Sequence, residues 1–212
     1  MSMSKSKKIL ILAACVLAVG GFFIFSVPNA LAGTLTNAAV ATTTASDGLI
    51  GQTGAQWKFT MTNATQLTQG QAVQVTLPTI SNAPPFSFGT PAIVATTSSA
   101  AIGFSTTVAV NPGTQTLGFV ATTTIPINTT FSITVDGINN PLGSATNLAN
   151  LVWTFKTGTI GGGGPAGDLA AVVDGPATTT RSLIRGGVSI FSSVDSAITP
   201  SSYAASATNV TY

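Results

Sequence analysis

The chain has 212 residues, only 6% of them charged, against about 25% in ordinary soluble domains, and it holds neither His nor Glu. That composition excludes a Ser–His–Asp triad, and the single cysteine, Cys15, excludes an internal disulfide. Lys5, Lys7 and Lys8 lie in the first eight residues; beyond them Lys58, Lys156, Arg181 and Arg185 face Asp47, Asp136, Asp168, Asp174 and Asp195, a net charge of −1 that removes the electrostatic basis for binding nucleic acid.

The N-terminus reads as an address. A short basic start is followed by an apolar run from Ile9 to Val27, broken only by Ser26, and then by Pro28-Asn29-Ala30-Leu31-Ala32-Gly33. Ala30-Leu31-Ala32 before the small Gly33 is the pattern of a secretory signal peptide, and cleavage is expected after Ala32. Residues 1–32 are thus a signal segment and the protein is expected outside the cell or on its surface. Two other readings stand beside this one. Leu12-Ala13-Ala14-Cys15 has the form of a lipobox, although the apolar run continues past Cys15. Left uncut, the run would just span a bilayer, which would be the protein's sole membrane contact.

From residue 33 onward the pattern is strand, turn, strand. Trp57, Phe59 and Met61 alternate with Lys58, Thr60 and Thr62; Val73, Val75 and Leu77 alternate with Gln74 and Thr76. Phe131, Ile133 and Val135 alternate with Ser132 and Thr134, and Leu151, Trp153 and Phe155 with Val152, Thr154 and Lys156. Period two with one apolar face predicts half-buried antiparallel strands. Weaker strands are expected near 35–42, 91–96, 101–110 and 116–123. Turns are expected at Gln69-Gly70, Asn82 to Pro85, Asn111-Pro112-Gly113 and Asp136 to Pro141, and residues 145–151 have room for one or two helical turns. The predicted class is all-β: an Ig-like antiparallel β-sandwich over 33–160, preceded by a hydrophobic signal helix and followed by a C-terminal β tail. Gly161 to Gly164 reads as a flexible hinge before that tail, 161–212.

The tail echoes the head. Leu35 to Val40 followed by Gly54 to Thr60 has a counterpart in Val188 to Val194 followed by Ala207 to Tyr212. An unpartnered strand exposes backbone groups and an apolar face, and pairing with another chain covers both. Val188, Ile190, Val194, Val210 and Tyr212 therefore define a candidate strand-exchange segment. The alternatives are a tail folded back on its own domain, or a truncated repeat.

Chemistry-bearing constellations are scarce. Five scattered Asp residues suggest no acid–base pair, so no enzyme activity, catalytic residue, metal or cofactor is expected. Asp136, Asn139 and Asn140 could supply oxygens to calcium, but such residues are ordinary turn formers and the EF-hand spacing is missing. Asn63, Asn128 and Asn209 head N-x-Thr sequons, candidate glycan sites. Thr42–Thr44, Thr122–Thr124 and Thr178–Thr180 could carry O-linked sugar or serve as solvated loops.

Taken together, the Gln56 to Leu77 hairpin pattern, Phe131-Ser132-Ile133-Thr134-Val135-Asp136-Gly137-Ile138-Asn139-Asn140-Pro141 and Leu151-Val152-Trp153-Thr154-Phe155-Lys156-Thr157 resemble the Thr-rich, Ig-like repeat domains of bacterial surface-layer and cell-wall proteins. The resemblance implies a secreted structural role and no catalytic residues. A surface of Thr, Ser, Asn, Gln and Ala resists association weakly. The expected function is a self-assembling subunit or module of a surface layer or filament, such as a pilus, whose main partner is a second copy of the chain, with surface glycans as further partners. The alternative is an adhesin or carbohydrate-binding module using the sandwich loops, where Phe86 and Phe88 are the candidate exposed aromatics.

Overall fold

A computed structural model describes residues 32–144 and 148–185. The signal segment up to Leu31 and the strand-exchange segment lie outside the described residues. The strands are β1 (Gly33–Thr34), β2 (Thr36–Thr42), β3 (Ala55–Thr62), β4 (Ala72–Thr76), β5 (Ser87–Ser98), β6 (Ala109–Asn111), β7 (Thr116–Val120), β8 (Thr130–Asn139), β9 (Leu151–Gly161) and β10 (Gly164–Arg181). They form one sheet in the order β1-β10-β9-β4-β7-β6 and a second in the order β2-β3-β8-β5. Every neighbouring pair is antiparallel except β1 and β10. The class is therefore the all-β sandwich that the alternation predicts.

The alternating aromatics explain how the sheets meet. Trp57 and Phe59 point inward from β3, and Trp153 and Phe155 point inward from β9 of the opposite sheet. Trp57 and Trp153 meet at 4.8 Å between ring centroids, and Phe59 lies 5.8 Å from Trp153 and 6.3 Å from Phe155. Tilted and edge-on pairs of this kind each add about 1 kcal/mol beyond the burial of their area. Val73 and Val75 of β4, Leu117 and Phe119 of β7, and Phe131, Ile133 and Val135 of β8 complete the same core. Phe86 belongs to it as well. It is 1% exposed and packs 5.2 Å from Trp153 and 6.2 Å from Trp57, so the Pro84-Pro85-Phe86 loop closes one end of the sandwich. It is a plug, and not the exposed aromatic that its loop position predicts.

The polar face of the second sheet is knitted by hydroxyls. Thr60 pairs with Ser132 and Thr62 with Thr130 across β3 and β8, each through a 2.7 Å side-chain hydrogen bond. Cross-strand pairs of this kind stabilise a sheet without charge.

Four segments depart from the sequence reading. Gly161 to Gly164 is the turn of a β9–β10 hairpin, with Gly164 at φ +76°, and it separates no domains. β10 is a long strand of the larger sheet, so residues 164–185 belong to the sandwich. Its apolar and polar residues follow no clean period, because residues 165–168 leave the ladder and cross over β4 and β7. The turn expected from Asp136 instead begins after Asn139. Gly137 adopts φ +73° as a bulge, and the strand continues through it. Of the region 101–110 only Ala109 onward joins a strand; Phe104 and Thr107 make isolated bridges. Asn150, at φ +52°, leads directly into β9, and no helical turn is present at 148–151. Among the described residues no helix is long and apolar enough to cross a membrane.

Candidate functional site

The most distinctive surface is an edge. β5 pairs with β8 on one side only, apart from an isolated bridge between Ala92 and Thr107. Its twelve residues, SFGTPAIVATTS, include no charged side chain, and from Val94 to Ser98 all are exposed. Val94 falls at a register shift and is 47% exposed. Natural edge strands are usually blunted by Lys, by bulges or by Pro. β5 has Pro91 and two register shifts but no Lys. β2, at the other edge of the same sheet, also carries no charge over Thr36–Thr42.

A second feature is a polar groove on the outer face of the larger sheet. Gln74, Thr76, Thr116, Lys156, Gly163 and Asp168 line it. It forms where residues 165–168 cross over β4 and β7, and Gln74 Nε2 donates to the carbonyls of Pro165 (2.8 Å) and Gly167 (2.6 Å). A Cβ on Gly118 would run into the Pro165 backbone, so only glycine permits the crossing. No aromatic ring faces this groove to stack on a sugar.

The sequence-predicted residues are scattered. Ala32 is exposed and Gly33 opens β1, while Ala30, Val188, Ile190, Val194, Asn209, Val210 and Tyr212 fall outside the described residues. Asn63 is fully buried. Its Nδ2 donates to the carbonyls of Thr65 (2.7 Å) and Pro126 (2.8 Å), and its Oδ1 accepts from Thr129 N (2.9 Å). This amide holds two loops together and has no face for a sugar. Asn128 is exposed at φ +57°.

Asp136, Asn139 and Asn140 do not converge. Asp136 Oδ1 accepts from Ala92 N (3.2 Å), and Asn139 Oδ1 accepts from Gly54 N (2.9 Å). Asn140 turns inward: Trp57 Nε1 donates to its Oδ1 (3.1 Å), and its Nδ2 donates to the carbonyls of Asp47 (2.7 Å) and Leu49 (2.8 Å). Among the described residues no group of three or more His, Cys, Asp or Glu could hold a metal ion.

Comparison with known proteins adds little to this geometry. No protein-family model matches, and no curated protein matches. The chain is similar to a chain in a solved structure concerned with pH-induced modulation of Streptococcus parasanguinis adhesion by Fap1 fimbriae. Identity is 16% over 65% of this chain and 78% of that chain, with a TM-score of 0.29. A likeness at that level carries no argument about function.

Sequence reasoning missed two acidic residues that the structure makes conspicuous. Asp47, buried in a short 3-10 turn (Ser46–Gly48), accepts hydrogen bonds from Thr43 Oγ1 (2.8 Å), Thr44 N (2.9 Å), Thr44 Oγ1 (2.7 Å) and Gln56 N (3.1 Å). The Thr-x-x-Asp spacing from Thr44 to Asp47 was its only signal. Asp174, fully buried on β10, had none.

Proposed function

We propose that this protein is a secreted, self-assembling structural subunit or module of a cell-surface layer or extracellular filament. The observation that carries the reading is β5: an open edge strand twelve residues long with no charge to deter pairing. Such an edge accepts a strand from another chain through backbone hydrogen bonds. The scarcity of charge elsewhere removes the usual repulsion between copies. A contact between two different faces of the chain propagates into an open filament. Strand exchange through residues 188–212 is one route to that contact.

The carbohydrate-binding alternative has less behind it, because of its two aromatic candidates Phe86 lies inside the core and Phe88 is partly buried against it.

Electron microscopy of the secreted protein tests the proposal, with filaments or sheets expected. Val94→Lys combined with Thr96→Lys should abolish them while changing monomer stability by less than about 0.5 kcal/mol, since both sites are exposed. Dispersed wild-type monomers would sink the reading. Deleting residues 186–212 separates the routes. Loss of assembly supports strand exchange; unchanged assembly leaves edge pairing through β5 and removes the tail from the account.

A further inference from the structure

Asp174 is 0% exposed, and among the described residues neither of its carboxylate oxygens has a hydrogen-bond partner. Its backbone N–H donates to Thr157 Oγ1 at 3.1 Å. A buried carboxylate without a partner is an expensive arrangement, and natural chains rarely retain one unless something is to fill it.

What lies beside it is the start of β1. Gly33 is in register with Asp174 across the parallel β1–β10 pair. A Cβ on Gly33 would run into Oδ1 of Asp174, and would lie 2.7 Å from Thr65 Oγ1 and 3.0 Å from Ala64 Cβ. With ordinary bond lengths, Oδ1 is then within about 4 Å of the Gly33 Cα and about 5 Å of its nitrogen. Among the described residues the cations lie elsewhere: Lys58 is on β3 of the other sheet and Arg185 is exposed. Lys156 lines the polar groove on the sheet's outer face, and Arg181 is exposed at the far end of β10.

We propose that Asp174 is the receiving site for the α-ammonium of Gly33, which removal of the leader after Ala32 creates. A signal-type peptidase would hydrolyse the Ala32–Gly33 bond. Water's hydroxyl goes to the Ala32 carbonyl carbon, its remaining hydrogen goes to the Gly33 nitrogen, and that amine takes up a proton at neutral pH. An α-amino group has a pKa of about 7.7–8.0, so it is largely cationic at pH 7. Before the cut, the Gly33 nitrogen is a neutral amide with one hydrogen. Afterwards it is a charged group with three hydrogens, beside a carboxylate that has room for it. Glycine at this position then answers two demands, the small residue a peptidase accepts and the absence of a Cβ in front of Oδ1. Processing would thus complete the fold at the β1–β10 seam, independently of whether the protein assembles.

The test uses the full secreted chain. Intact mass and N-terminal sequencing should place Gly33 first; any other first residue overturns the proposal. Labelling with an amine-reactive ester at pH 7, read on the N-terminal peptide by mass spectrometry, should be at least tenfold slower in the folded protein than in urea. Equal rates overturn it. A chain made to begin at Ala32 should melt about 5 °C or more below one beginning at Gly33, and Asp174→Asn should erase that difference. Should Asp174→Asn fail to fold, the labelling comparison on the wild type decides alone.

Discussion

Asp47 shows how a chain with almost no charge uses the little it has. Burial raises its pKa, but the Thr44 hydroxyl, the Gln56 N–H, the Thr43 hydroxyl and the Thr44 N–H outweigh that effect, and the net shift is downward from 3.8. A carboxyl whose folded pKa is depressed contributes stability above its unfolded value, and that stability is lost as pH falls through the folded value. Asp47→Asn should therefore cost about 2 kcal/mol at pH 7, because it places an amide among four donors. In urea titrations the gap from wild type should close below pH 3.8. A constant gap down to the lowest accessible pH would mean that the loss is one of packing and not of charge. Asn63 and Asn140 do comparable work without charge, each spending a whole amide on one end of the sandwich. Of these roles only that of Asp47 has a trace in sequence, the Thr-x-x-Asp spacing; otherwise Asp, Asn and Thr near turns look alike. What separates a clasp from a solvated loop is which backbone groups the fold brings within reach.

At the level of elements, the strands with strict alternation were legible and the others were not. β3, β8 and β9 announce themselves because each has one face against the core and one toward polar surroundings. β10 does not, because different parts of it do different things: residues 165–168 cover β4 and β7, while Leu169 and later residues pair beside β9. That division of labour erases the period on which strand prediction depends. It also made Gly161 to Gly164 look like a linker, when the glycines instead allow a tight turn and a close backbone approach. Gly118 is the checkpoint of this arrangement. Gly118→Ala would press a methyl group into the Pro165 backbone. It should destabilise by about 2–3 kcal/mol and open residues 162–168 to protease, with cleavage mapped by mass spectrometry. If the variant is as stable and as resistant as wild type, the crossing is not tightly packed in solution.

For the molecule as a whole, the all-β class is legible in the alternating aromatics, which the two sheets bury between them. The candidate surface was harder to foresee. β5 reads as a weak strand, and only its place at the margin of a four-stranded sheet makes its lack of charge informative. The seam at Asp174 was harder still, since residues 33 and 174 meet only when the two ends of the sandwich sequence lie side by side.

That adjacency bears on mechanics. β1 and β10 run in the same direction, so tension applied between residue 33 and residue 185 pulls the two strands past each other lengthwise. Their contacts must then yield together, whereas a pair drawn apart sideways would open one bond at a time. In single-molecule pulling, the processed chain should rupture at a distinctly higher force when gripped at those two points than when gripped across the β9–β10 turn, which is the behaviour that the proposed surface-fibre role requires.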